Sequence, residues 1–161
     1  MTINVGDRLP NASLRLVTSD GPKIVTIQEF FGGKKVVLFG LPGAFTPTCH
    51  KNHLPGFIEH EAAIKAKGVD AIAMTAVNDH HVLAAWSKAT GSEGKISFLA
   101  DGAAEFAKAM GLDYDASPGG MGVRSKRYAM LVEDGVVKIL HIEDAPGKAE
   151  ISSAENLLKG M

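Results

Sequence analysis

A single cysteine, Cys49, stands at the end of the run Pro42-Gly43-Ala44-Phe45-Thr46-Pro47-Thr48-Cys49. A cysteine reacts as its thiolate. A thiolate can attack one oxygen of a peroxide, expel the other, and become a sulfenic acid. The neighbours suit that reaction. Thr46, three residues before the sulfur, can direct a hydroxyl at the sulfur or at a bound hydroperoxide. Pro42 and Pro47 stiffen the loop and limit the water around the thiolate.

With one cysteine, neither an intramolecular disulfide nor a structural zinc site built on several cysteines can form. A lone cysteine can equally be a small buried hydrophobe. Its place in the chain decides between these readings. Residues 35–40 read as a central strand, the proline-rich loop follows, and residues 49–66 have helix-forming composition, with Pro55-Gly56 expected to kink or split them. Cys49 therefore falls in the first turn of a helix beyond the carboxyl end of a strand, where open α/β sheets build their sites. Unpaired N–H groups and the positive dipole end at that position favour an anionic sulfur.

The surrounding pattern supplies the frame. Residues 12–17 alternate as a half-buried strand and turn at Ser19-Asp20-Gly21-Pro22 toward Ile24-Val25. Thr26 and Glu29 have capping-box spacing, so a short helix starts there and stops at Gly32-Gly33. Residues 69–77 and 96–99 read as strands; 80–89, capped by Asn78-Asp79, and 103–110, closed by Gly111, read as helices. The glycine-rich residues 118–122 read as a flexible connection, and Asp134-Gly135 predicts a hairpin between 128–133 and 136–142. Ser152-Ser153-Ala154-Glu155 opens a final helix with capping-box spacing. Alternating strands and helices followed by a hairpin predict a three-layer α/β fold with a mixed sheet. Residues 1–161 read as one domain.

Composition excludes other classes. Hydrophobic residues make up 45% and charged residues 22%, the balance of a soluble globular chain. A net charge of −1, from 17 Lys plus Arg against 18 Asp plus Glu, leaves no basic excess for nucleic acid. The longest apolar run is too short to cross a membrane. Neither a basic n-region nor an apolar h-region opens the chain, so Asn11-Ala12-Ser13 reads as a chance match to a glycosylation acceptor and a cytoplasmic location is expected.

The P-x-x-x-T-x-x-C pattern resembles the peroxiredoxins. Residues 42–57 look like their type II branch, the peroxiredoxin 5 subfamily, and the likeness extends through Gly122-Val123-Arg124-Ser125-Lys126-Arg127-Tyr128 and the hairpin after it. The resemblance implies a thioredoxin-like fold and a thiol peroxidase acting on hydrogen peroxide and alkyl hydroperoxides in antioxidant defence. Carried over by position, Cys49 matches the peroxidatic cysteine, Thr46 and Pro42 the motif residues, and Arg127 the active-site arginine. Arg124 competes for that role but reads as a solvated strand-end charge. Arg127, the Thr46 hydroxyl and the backbone N–H of Thr48 or Cys49 would be preorganised donors to the sulfur and the leaving oxygen. Gly43, Thr48 and His53 complete the expected peroxide-binding set.

Members of the branch carry a second cysteine near the C-terminus, where this chain has Ser152 and Ser153, or in the strand position held here by Met74. Both are absent, so the resemblance implies an external thiol, glutathione with glutaredoxin or thioredoxin, and no cofactor. It also implies a homodimer across the active-site edge, with Phe45 and Trp86 as contact candidates; Trp86 with Val82 and Leu83 is also a core stripe. A peroxide sensor would keep a reactive Cys49 without needing Thr46 and Arg127 together. Metal binding by Cys49 with His50 or His53 lacks a fourth ligand, and His53 reads instead as an active-site hydrogen-bonding group. His50 and the His80-His81 pair read as surface residues. A dithiol exchanger lacks C-x-x-C, and Gly119-Gly120-Met121-Gly122 lacks the Lys-Ser/Thr of a phosphate loop.

Overall fold

A computed structural model describes residues 2–161. Strand β1 (Ser13–Thr18) and β2 (Gly21–Thr26) lead into helix α1 (Ile27–Phe31) and the central strand β3 (Lys35–Gly40). A π-helical turn (Cys49–His53), α2 (Leu54–Glu59) and α3 (Glu61–Lys65) precede β4 (Ala71–Ala76), α4 (His80–Thr90), β5 (Ser97–Ala100) and α5 (Glu105–Met110). Then come β6 (Asp113–Asp115), β7 (Val123–Ser125), β8 (Tyr128–Glu133), β9 (Val136–Ile142) and α6 (Ala154–Lys159).

The main sheet runs β2-β1-β5-β4-β3-β8-β9. The βαβ connections make β3, β4 and β5 parallel; the β1–β2 and β8–β9 hairpins are antiparallel and join this centre through the antiparallel pairs β1–β5 and β3–β8. That is the mixed sheet expected. Side chains of β3 alternate between its faces as a strand requires. Val37 and Phe39 join one core with Leu54, Phe57, Ile64, Leu83, Trp86 and Leu157. Val36 and Leu38 join the opposite core with Phe31, Phe106 and Met110. Helices α2, α3, α4 and α6 therefore cover one face, α1 and α5 the other. None of the helices among the described residues is long and apolar enough to cross a membrane.

Local chemistry explains the boundaries. Thr26 and Glu29 form the reciprocal capping box expected of α1. Asp134 and Gly135 take the positive φ values that a two-residue hairpin needs. Of the expected Asn78-Asp79 cap of α4, Asp79 accepts from the Val82 N–H. Three expectations differ. The cap of α6 is Ser153, which accepts from the Asn156 N–H, because the Ser152 hydroxyl is held by Glu143. The predicted break at Pro55-Gly56 moves to His60, between α2 and α3. Proline offers no N–H to the Lys51 carbonyl four residues back. The helix accommodates this by widening upstream, where the Leu54 N–H reaches five residues back to the Cys49 carbonyl. Finally, the glycine-rich stretch lies between the paired strands β6 and β7, with Ala116 N–H donating to the Gly122 carbonyl.

Candidate active site

The loop after β3 turns into a helix at Pro47, and Cys49 occupies the first turn. Pro47 suits this start because its fixed φ and missing N–H cost nothing there. It is exposed, so its ring fixes the turn and does not screen the sulfur as the sequence suggested; Pro42 is buried. First-turn N–H groups have no partner within a helix. The Thr46 hydroxyl does not cap them, since it donates to the Gly43 carbonyl at 2.7 Å. That bond corrects the donor role expected of Thr46. With its proton engaged, the hydroxyl has only its oxygen lone pairs left for another partner.

Cys49 is fully buried, and the Arg127 Nη2 donates to its Sγ at 3.1 Å. Arg127 stands just before β8, is 2% exposed, and has no carboxylate within ion-pair distance among the described residues. A buried guanidinium without a counter-ion is costly, and the thiolate is the anion placed to supply one. Other N–H groups of the guanidinium are held as well. Nη1 donates to His53 Nδ1 at 3.0 Å, while Nε and Nη2 donate to the Pro146 carbonyl at 3.2 and 2.9 Å.

His53 is 2% exposed and lies one turn beyond Cys49. Arginine can only donate and a carbonyl can only accept. The Arg127 contact therefore makes Nδ1 the acceptor, and Nε2 carries the proton given to the Ser152 carbonyl at 2.9 Å. Both ring nitrogens are thereby engaged, so a metal-ligand role would have to break one of these bonds. Burial, reinforced by the Arg127 charge, lowers the pKa of His53 to about 3.

A loop between β9 and α6 straps over this cluster. Besides Pro146 and Ser152, it presents the Gly147 carbonyl, which accepts from the Thr48 hydroxyl at 3.0 Å. Glu143 anchors the strap by accepting from the Ser152 N–H and hydroxyl and the Ile151 N–H. Burial alone would raise the Glu143 pKa, but these bonds outweigh it and hold it below its usual value.

Comparison with known proteins decides what this arrangement is. The Redoxin family model matches residues 4–158. Peroxiredoxin-2E-2, chloroplastic, of Oryza sativa subsp. japonica is 50% identical, over 99% of this chain and 73% of its own length. Reduced Prx3 of Vibrio vulnificus in complex with H2O2 superposes with a TM-score of 0.93 at 49% identity, covering 99% of each chain. The chain belongs to the Redoxin family and is a peroxiredoxin. A Burkholderia cenocepacia structure provisionally described as a thioredoxin reductase is also similar, with a TM-score of 0.97 at 45% identity over 100% of this chain and 99% of its own. One cysteine cannot form the dithiol of a C-x-x-C exchanger.

This peroxiredoxin is a single-cysteine member of the type II branch, a thiol-dependent peroxidase. The positions at which the resemblance would place a second cysteine are packed for other purposes. Met74 is fully buried in the core that holds Cys49, Ser152 is buried on Glu143, and Ser153 caps α6.

Several sequence assignments change. Arg124 is not a solvated charge: it is half-buried, donates from Nη1 to the Pro42 carbonyl at 3.2 Å and from Nε to the Met121 carbonyl at 2.9 Å. Its guanidinium also fills the space a Gly43 side chain would need, since an added Cβ would lie 2.6 Å from Nη1. His50 is half-buried rather than a surface residue, and its Nδ1 accepts from the Trp86 indole N–H at 2.9 Å. Trp86 is fully buried, so it cannot itself contact a second subunit. Phe45 is half exposed and holds a φ of +63°, a strained value for an aromatic residue. The loop is pinned there by the Thr46, Arg124 and Asn78 bonds, the last from Ala44 N–H to Asn78 Oδ1 at 2.9 Å. Asn78 and Tyr114 were not identified as site residues from the sequence. The Tyr114 pKa is raised by burial and then by the charge of Cys49.

A pH effect follows from His53. Its folded pKa lies below the ordinary value of about 6.5, so the unfolded chain takes up a proton that the folded chain refuses. Stability from this residue is complete above about 6.5 and falls as pH drops toward about 3. Between about pH 7 and about pH 5, wild type should lose about 2 kcal/mol more than His53→Gln, whose amide can keep both bonds. Urea unfolding midpoints at the two pH values check this; equal losses would mean that His53 titrates normally.

Proposed function

We propose that Cys49 is the peroxide-reducing nucleophile and that Arg127 holds negative charge on its sulfur and then on the leaving oxygen. The contact of a buried, carboxylate-free guanidinium with Sγ at 3.1 Å carries this reading. The thiolate attacks the nearer peroxide oxygen, the O–O bond breaks, and the other oxygen leaves as hydroxide or alkoxide to be protonated. Cys49 is oxidised to the sulfenic acid while hydrogen peroxide is reduced to water, or an alkyl hydroperoxide to the alcohol.

Thr46 accepts the peroxide O–H, because its own proton is bound to the Gly43 carbonyl. The first-turn N–H groups of Thr48 and Cys49 face the developing oxyanion. Pro42 and Gly43 fix the loop against Arg124, and His53 orients Arg127. An external thiol must then reduce Cys49, through glutathione with glutaredoxin or through thioredoxin. A homodimer across the active-site edge would cover Phe45 and the neighbouring exposed Val82. A reducing compartment such as the cytoplasm suits a cycle that consumes thiols.

One equivalent of hydrogen peroxide without thiol should add one oxygen, mapped to Cys49 by mass spectrometry. Thiol should then remove it and support repeated turnover. Oxygen found elsewhere would sink the assignment of Cys49. A single turnover that no thiol renews would favour a sensor.

A further inference from the structure

A cavity of about 650 Å³ lies at the end of the sheet opposite Cys49. Strand β3 delivers Cys49 beyond its carboxyl end, and β4 and β5 run parallel to β3. The cavity is lined instead by the first residues of those two strands, Ala71 and Ile72 of β4 and Ser97 and Phe98 of β5. It forms where the sheet parts. Strands β1 and β5 pair only at Arg15↔Ala100 and Leu16↔Leu99, although β1 continues to Thr18 and β5 begins at Ser97. Val17 and Thr18 on one side, and Ser97 and Phe98 on the other, leave that ladder and line the cavity. Helix α4 adds Ala84, Ser87 and Lys88. Peroxide reduction as derived above uses none of these residues.

The lining combines an apolar wall with hydrogen-bonding and cationic groups. Val17 and Ala84 are half-buried, and Ile72 and Phe98 are buried. Ser87 is 5% exposed, and its carbonyl accepts from the Ser92 N–H at 3.0 Å, but its hydroxyl has no hydrogen-bond partner among the described residues. A hydroxyl buried without a partner costs stability, so one that lines a cavity points to a ligand there. Of the charged groups, Lys65 is held by Glu61 at 3.1 Å, and Asp70 accepts from the Lys35 N–H at 2.8 Å. Lys88, Lys95 and Glu93 form no ion pair among the described residues, so two uncommitted cations stand against one anion. The volume falls among those of sites that enclose small organic ligands, roughly 300–1,000 Å³.

We infer that this cavity binds a small organic anion with an apolar body. Its carboxylate lies among Lys88, Lys95 and the Ser87 hydroxyl, and its chain runs between Val17 and Ala84. The binding is separate from the peroxide chemistry, because Cys49 and Arg127 stand at the other end of the sheet.

Isothermal titration calorimetry on the full reduced chain tests this with octanoate, octanol and inorganic phosphate. Octanoate carries head and body, octanol the body alone, phosphate a charged head alone. Octanoate should bind one to one, at least about tenfold more tightly than either of the others. Lys88→Glu and Lys95→Glu should each weaken octanoate about tenfold and leave octanol unchanged. Ser87→Ala should also weaken octanoate, yet the melting temperature of the unliganded chain should not fall, because the hydroxyl has no partner to lose and alanine favours the helix. Arg127→Met, titrated at a temperature where it is folded, should bind octanoate as wild type does. The site is wrong if octanoate does not bind, if octanol or phosphate binds as tightly, or if neither charge reversal matters. It is equally wrong if Arg127→Met abolishes binding, since the carboxylate would then sit beside Cys49.

Discussion

Cys49→Ser should reduce peroxide consumption to the uncatalysed rate. The exchange replaces one atom in a fully buried site, and the serine oxygen can still accept from Arg127. The fold should therefore survive, with a melting temperature close to wild type. What disappears is the nucleophile: a hydroxyl stays protonated at neutral pH, whereas a thiol ionises readily enough to react. The chain offers no other thiol to take over. Trp86, the one tryptophan, donates to His50 next to Cys49 and so provides a local fluorescence signal for rapid-mixing measurements. Wild type should show a peroxide-dependent fluorescence change and the serine variant none. A serine variant that still consumed peroxide at a wild-type rate would remove Cys49 from the mechanism.

Arg127→Met should slow sulfenic acid formation about 100- to 1,000-fold, the usual cost of removing a preorganised donor from a developing anion. Arg124→Met should cost far less, because Arg124 touches the Pro42 carbonyl and Met121, not the sulfur. Arg127→Lys separates charge from geometry. Lysine keeps the positive charge but cannot reach Sγ, His53 and Pro146 together as the planar guanidinium does. Only part of the lost rate should return. The methionine variant also leaves His53 Nδ1 and the Pro146 carbonyl unpaired, so some loss of stability is expected, on the order of 1–3 kcal/mol per buried group. Rates should be compared at a temperature where circular dichroism shows every variant folded. Equal slowing by Arg124→Met and Arg127→Met would mean the sulfur contact has no special part in the reaction.

Legibility in the sequence followed locality. The β8–β9 hairpin is read residue by residue because Asp134-Gly135 admits few backbone paths. Cys49 is placed correctly because the apolar strand, the proline-rich loop and the helix-forming run that begins at Cys49 follow one another within a few residues. Choosing Arg127 over Arg124 came from family resemblance; no local rule tells which of two arginines three residues apart points inward across a break between strands. The two short strands β6 and β7 were missed because three residues are too few to display an alternation. His50 was misplaced for a related reason. Its bond to Trp86 joins residues 36 apart, and each alone looks ordinary, one as a surface histidine and the other as a core aromatic. Thr46 was assigned as a donor because its spacing gives proximity to the sulfur; only the Gly43 bond shows where its proton goes.

The strap over the site holds Arg127, Thr48 and His53 with main-chain carbonyls of Pro146, Gly147 and Ser152. Carbonyl oxygens are supplied by every residue type. Much of the strap can therefore drift in sequence between related enzymes while its grip on the reacting groups stays the same. Its importance would be invisible to a count of invariant positions, and a shortening by one residue there should harm catalysis more than many side-chain replacements.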